Sequence, residues 1–139
     1  MKYMIMMYAS QRDYDAMLGK PAPGEPGWTA ADFEAMGQFM ERFTGDLAES
    51  GELVDTRGLT APSRARRIRL PGGAPVVTDG PYAEAEEVLA GYWIVECDSL
   101  DRAADIASRL GGVPGPEHRR ARAYVDVRPL AESRHELDG

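Results

Sequence analysis

Gly91-Tyr92-Trp93-Ile94-Val95-Glu96-Cys97, running into Asp98-Ser99-Leu100-Asp101-Arg102-Ala103-Ala104-Asp105-Ile106-Ala107-Ser108-Arg109-Leu110, is the stretch on which the fold turns. Its first seven residues are almost entirely apolar, with Glu96 the single charge, and they are the length of one strand. Asp98 or Ser99 can cap a following helix, because a short oxygen-bearing side chain accepts from the unbonded amides of a first helical turn. Leu100, Ala103, Ala104, Ala107 and Leu110 recur at helical spacing and form an inner stripe, and Gly111-Gly112 ends it. A two-sided apolar strand feeding an amphipathic helix belongs to a sheet covered by helices.

Elsewhere the chain repeats this theme. Tyr3-Met4-Ile5-Met6-Met7-Tyr8 is a second continuous apolar run and reads as a strand buried on both faces. Phe33, Met36, Met40, Phe43 and Leu47 fall three and four apart, on one side of a helix. Thr29 with Asp32 three residues on resembles a capping box, and Ser50-Gly51 closes the helix. Residues 19–28 hold Gly19, Pro21, Pro23, Gly24, Pro26 and Gly27 and read as a long loop. Glu52 to Leu59 and Arg64 to Leu70 read as strands, with Ile68 and Leu70 alternating with Arg67 and Arg69. Pro71 to Pro75 makes a turn into a short strand, Val76-Val77-Thr78. A brief helix is expected over Tyr82 to Leu89. Ala123, Val125 and Val127 alternate with Tyr124, Asp126 and Arg128 in a last strand that Pro129 stops.

Without the extra hairpin this order is the split β-α-β-β-α-β pattern, an α+β arrangement with both helices on one face of an antiparallel sheet. Residues 1–130 form one domain, and 131–139 a polar C-terminal tail. Helices cover only one side, whereas two strands carry apolar residues on both. A second copy packed sheet to sheet would remove the apolar patch, so a homodimer is expected.

Composition narrows the function classes. The chain has 139 residues, enough for one core, with 43% hydrophobic and 28% charged residues. A net charge of −7 argues against a nucleic-acid partner, which needs an excess of Lys and Arg. The apolar start is too short for a signal peptide or a span of about 20 residues, so no membrane partner and a cytoplasmic location are expected. Cys97 is the only cysteine and reads as a small core residue.

No phosphate loop, nucleophile elbow or metal-ligand spacing is present, and no cofactor is expected. His118 and His135 are the two histidines. Arg64, Arg66, Arg67 and Arg69, and then His118, Arg119, Arg120 and Arg122, form two basic clusters. Each reads either as a solvated face that guards a strand edge or as an anion pocket, since Arg grips carboxylate or phosphate through a planar fork. The same two readings apply to Tyr124, Asp126 and Arg128. Asp79-Gly80-Pro81 is a turn by its chemistry. Asp79 is therefore either a turn residue or a carboxylate held rigidly at a cleft and able to accept a proton.

Asp79-Gly80-Pro81-Tyr82, with Glu84, Gly91-Tyr92-Trp93 and Asp98-Ser99-Leu100-Asp101, resembles the DGPF branch of the YCII-related family; so do Met1-Lys2-Tyr3-Met4 and Val127-Arg128-Pro129. Tyr82 stands where that branch usually has Phe. The resemblance implies a ferredoxin-like fold, a dimeric α/β barrel, and a cavity between sheet and helices lined in part by Asp79. It also implies a gene setting beside sigma factors. YCII proteins proper are suspected of using a His–Asp pair with the His near the start of the first helix. This chain has no histidine in residues 9–50, so His118 would have to fold back to serve.

The reading that follows is a small-molecule-binding and regulatory dimer with a cleft around Asp79, and with Tyr82, Tyr124 and Arg128 as ligand-binding candidates. Two alternatives stand beside it. One is a cofactor-free lyase or isomerase with Asp79 as general base. The other is a module contacting a sigma factor.

Overall fold

The computed structural model describes residues 1–137. In chain order the elements are β1 (Lys2–Ala9), α1 (Gln11–Met17), α2 (Ala30–Ser50), β2 (Leu53–Gly58), β3 (Arg66–Arg69), β4 (Val76–Asp79), β5 (Val88–Glu96), α3 (Leu100–Ser108), α4 (Glu117–Arg120), β6 (Val125–Pro129) and α5 (Arg134–Leu137). Short 3₁₀ turns at Pro62–Arg64 and Arg109–Gly112 complete them. The fold is mixed α+β. Four strands form an antiparallel sheet in the order β2-β5-β1-β6, and β3 and β4 pair in a separate two-stranded sheet. The two continuous apolar runs are thus the central strands, where a strand is covered from both edges.

Side-chain alternation sorts this sheet into two faces. Tyr3, Ile5, Trp93 and Val95 are buried, and they meet Phe43 and Leu47 of α2 and Ala103, Ile106 and Ala107 of α3. The Phe43 ring stands edge-on to Trp93, with centroids 5.1 Å apart, and Trp93 Nε1 donates to Thr44 Oγ1 at 3.1 Å. Burial of Phe43 or Leu47 is worth about 1.5–3 kcal/mol each, which is what fixes α2 against the sheet. Its ends follow the sequence: Thr29 and Asp32 form a reciprocal capping box, and Gly51 closes the helix at φ 82°.

The opposite face is not a uniform apolar sheet. Met4 pairs with Ile94 and Met6 with Tyr92, and all four are half-buried. Asp55 and Arg57 flank them on β2, and Asp126 and Arg128 on β6. Tyr92 donates to Asp55 at 3.2 Å.

Two sequence expectations are corrected. Residues 11–17, placed in the stretch after the first strand without a helix, form α1, started by a second capping box in which the Ser10 amide donates to Asp13 Oδ2 and the Asp13 amide to Ser10 Oγ. Residues 82–89 do not form a helix. Glu84, Glu86 and Glu87 supply no apolar stripe, and Val88 and Leu89 instead extend β5 against Ala9 and Tyr8, beyond a register shift after Met7. Within the polar tail, Arg134–Leu137 is a single helical turn, and residues 138–139 lie outside the described residues. No helix among the described residues is long and apolar enough to cross a membrane.

Candidate functional site

A cavity of about 610 Å³ lies between the helix-covered face of the sheet and the helices, at the end where β1 finishes and β5 begins. That is the size range of small-molecule sites, which run from about 300 to 1,000 Å³. Its apolar walls come from the sheet (Met7, Trp93, Val125), from α2 (Met36, Met40) and from the turn after α3 (Leu110). Two connecting segments, the second of which includes α4, complete it. Residues 18–29 bring Trp28 against Gly115, so closely that a Cβ at position 115 would sit 3.2 Å from the indole. Residues 113–120 bring His118, whose Nε2 is 3.4 Å from Glu25 Oε2. The Pro- and Gly-rich loop is therefore a wall of the cavity.

The polar groups cluster at one side. Asp13, only 8% exposed, is fixed by the capping box of α1 and is met by Arg119 Nε at 3.5 Å and Arg122 Nη2 at 3.0 Å. Arg119 also donates to the Tyr8 carbonyl at 2.5 Å. The second basic cluster is thus neither a bare solvated face nor an empty anion pocket: two of its arginines hold an internal carboxylate. The Tyr14 hydroxyl donates to the Leu59 carbonyl at 2.8 Å, and burial raises its pKa above the ordinary 10.0, so it remains a donor at neutral pH. Tyr8, at the end of β1, donates to Asp126 at 2.8 Å; that bond raises its pKa, with burial adding to it.

His118 Nδ1 is buried and has no hydrogen-bond partner. In the neutral tautomer that carries its proton on Nε2, Nδ1 would hold a free lone pair. A buried polar atom left without a partner costs free energy until something satisfies it. Among the described residues no cluster of three or more His, Cys, Asp or Glu is placed to hold a metal ion.

The residues singled out in the sequence divide between three places. His118 and Tyr124 both line the cavity, and the Tyr124 ring stacks on Tyr8 at 5.2 Å. Asp79 does not line it: it ends β4, is 74% exposed at the side chain and pairs with Arg66 at 2.7 Å. Its turn is real, with Gly80 at φ 55° and its amide donating to the Ala65 carbonyl, but the cleft is not built around it. Tyr82 lies beneath Arg67, 5.3 Å from the guanidinium carbon, and borders a smaller hollow of about 300 Å³ with Leu59, Arg64 and Val88. Arg128 lies on the open face of the sheet, opposite Met4. Sequence reasoning missed Arg12, Asp13 and Glu25. Ser10 followed by Asp13 was a legible capping signature; nothing local marked Glu25.

Residues 1–113 match the YCII-related domain, and the chain belongs to that family. An uncharacterized protein of Rhizobium meliloti (strain 1021) is 30% identical over 104 residues, spanning 75% of this chain and 80% of that protein. The matched region takes in α1, α2, β5 and α3, and so most of the cavity wall. His118 lies outside it.

Proposed function

We propose that this domain binds a small, largely apolar molecule in the cavity beside His118, and that it does so as a homodimer. The observation that carries the reading is the cavity itself: apolar walls from three layers of structure, with a few polar groups gathered on one side, are the usual make-up of a ligand site. This places the cleft away from Asp79, which is not among the residues lining the cavity. The strand order β2-β5-β1-β6 supports a ferredoxin-like arrangement, and the Asp79–Tyr82 turn supports the DGPF branch. The stripe of Met4, Met6, Tyr92 and Ile94, flanked on both sides by charges of both signs, supports sheet-to-sheet pairing of two copies into an α/β barrel. A cytoplasmic setting and a regulatory role, with a protein such as a sigma factor as partner, fit the exposed β3–β4 hairpin, which presents Ile68, Val76 and Val77 beside its arginines.

A second reading rests on the His118–Glu25 contact. A carboxylate beside an imidazole can orient it, and an imidazole can take a proton from a bound substrate and return it, as a cofactor-free lyase or isomerase requires.

Met36→Trp tests the cavity. A library of small aromatic acids and phenols is screened by thermal shift against wild type and variant. The proposal expects stabilising compounds for wild type and none for Met36→Trp, with the unliganded melting temperature little changed. Equal shifts in both proteins would place binding elsewhere. Light scattering on a sizing column should give about twice 15.2 kDa; a monomer at every concentration would remove the dimer.

A further inference from the structure

The charges around the cavity do not cancel. Asp13 is met by Arg119 and Arg122, Glu25 by His118, and Arg57 by Asp55 at 2.8 Å. Two guanidinium groups remain on the wall, those of Arg12 and Arg120; among the described residues neither side chain has an ion pair or hydrogen bond. Arg12 is half-buried in the first turn of α1, with its backbone amide donating to the Glu84 carbonyl at 3.0 Å, so its Cα is anchored from both sides. In a chain of net charge −7, a local surplus of cation in an apolar hollow is selective. A partly desolvated guanidinium also holds a carboxylate more strongly than it holds water.

Resting on the binding reading above, we propose that the ligand is an aromatic monocarboxylic acid: its ring lies among Met36, Met40 and Trp93, and its carboxylate is taken by Arg12. The carboxylate meets a guanidinium that the protein leaves without a partner among the described residues. Arg120, more exposed at the rim, adds to the attraction without fixing the geometry.

Two fluorescent probes that share one ring, 2-naphthoate and 2-naphthol, are titrated into the wild-type protein by calorimetry. Exchange of the carboxylate for a neutral hydroxyl should weaken binding about tenfold or more, the range for a charged hydrogen bond. Arg12→Gln should bring 2-naphthoate down to the affinity of 2-naphthol while leaving 2-naphthol unchanged. Wild-type binding of 2-naphthol as tight as that of 2-naphthoate would overturn the anion assignment and leave the cavity reading standing. An acid preference that survives Arg12→Gln would overturn the role of Arg12. Failure of both probes to bind would overturn this proposal and the cavity reading together. The wild-type comparison holds whether or not the variant folds.

Discussion

Removal of the Asp13 carboxylate should loosen the polar wall of the cavity and the fold together. Asp13→Ala loses the bond from the Ser10 amide, worth about 1 kcal/mol as one half of a capping box. It also strips Arg119 and Arg122 of their shared partner. Arg122 is 44% exposed at the side chain and Arg119 18%, so the first contributes about 0–1 kcal/mol and the second about 1–2 kcal/mol. The sum is about 2–4 kcal/mol. Asp13→Asn keeps an acceptor for the Ser10 amide and gives up only the charge, so about 1–2 kcal/mol is expected. Urea unfolding followed by the fluorescence of Trp28 and Trp93, at one fixed protein concentration, measures both differences. An unchanged slope would assign the loss to the folded state. If Asp13→Ala lies within about 0.5 kcal/mol of wild type, the carboxylate does not hold α1 to α4 and the network argument fails.

Glu52 accepts two bonds from Arg102, which lower its pKa below the ordinary 4.5, so its contribution to stability is complete above that value and is lost as pH falls through the lowered native pKa. Glu52→Gln should therefore flatten the acid limb of a stability-against-pH curve, and an unchanged limb would remove the pair from the account. Asp79→Asn should change stability by no more than about 0.5 kcal/mol, because its partner Arg66 and the carboxylate are both exposed; it should also leave probe affinity unchanged, and a loss of affinity in titration would return the turn to the site. Gly91→Ala would put a Cβ 3.1 Å from the Arg57 carbonyl oxygen, between two backbones with little room to yield, and should cost about 1–3 kcal/mol in urea; a neutral result would mean that β2 shifts away freely.

What the sequence conveyed depended on how local each cause was. β1 and β5 were legible because each contains an unbroken apolar run about the length of one strand. α2 was legible because a stripe, an N-terminal capping box and a terminal glycine agree. α1 carries the same cap chemistry at Ser10 and Asp13, yet seven residues give too few turns for a stripe to show. Residues 82–89 misled because three glutamates favour helix intrinsically, while the pairing of Val88 and Leu89 with Ala9 and Tyr8 is a tertiary cause. The cavity was the least legible feature. The arginines at 119 and 122 fit both a solvated face and an anion pocket by spacing, whereas the carboxylate they meet, Asp13, lies 109 residues from Arg122. Spacing along the chain carries no trace of such a contact.

The segments flanking the β3–β4 hairpin are tied to α1, by the Ser63 amide to Gln11 Oε1 at 2.7 Å and by the Arg12 amide to the Glu84 carbonyl, while the hairpin strands pair only with each other in the described sheets. The hairpin's length is consequently a free evolutionary variable. Residues can be gained or lost between Leu70 and Val76 without displacing any strand of the four-stranded sheet, so descendants of one ancestral domain can diverge there while their interiors stay constant. For the same reason an epitope or a fluorescent reporter grafted at Gly72-Gly73 would ride on the molecule as a passenger.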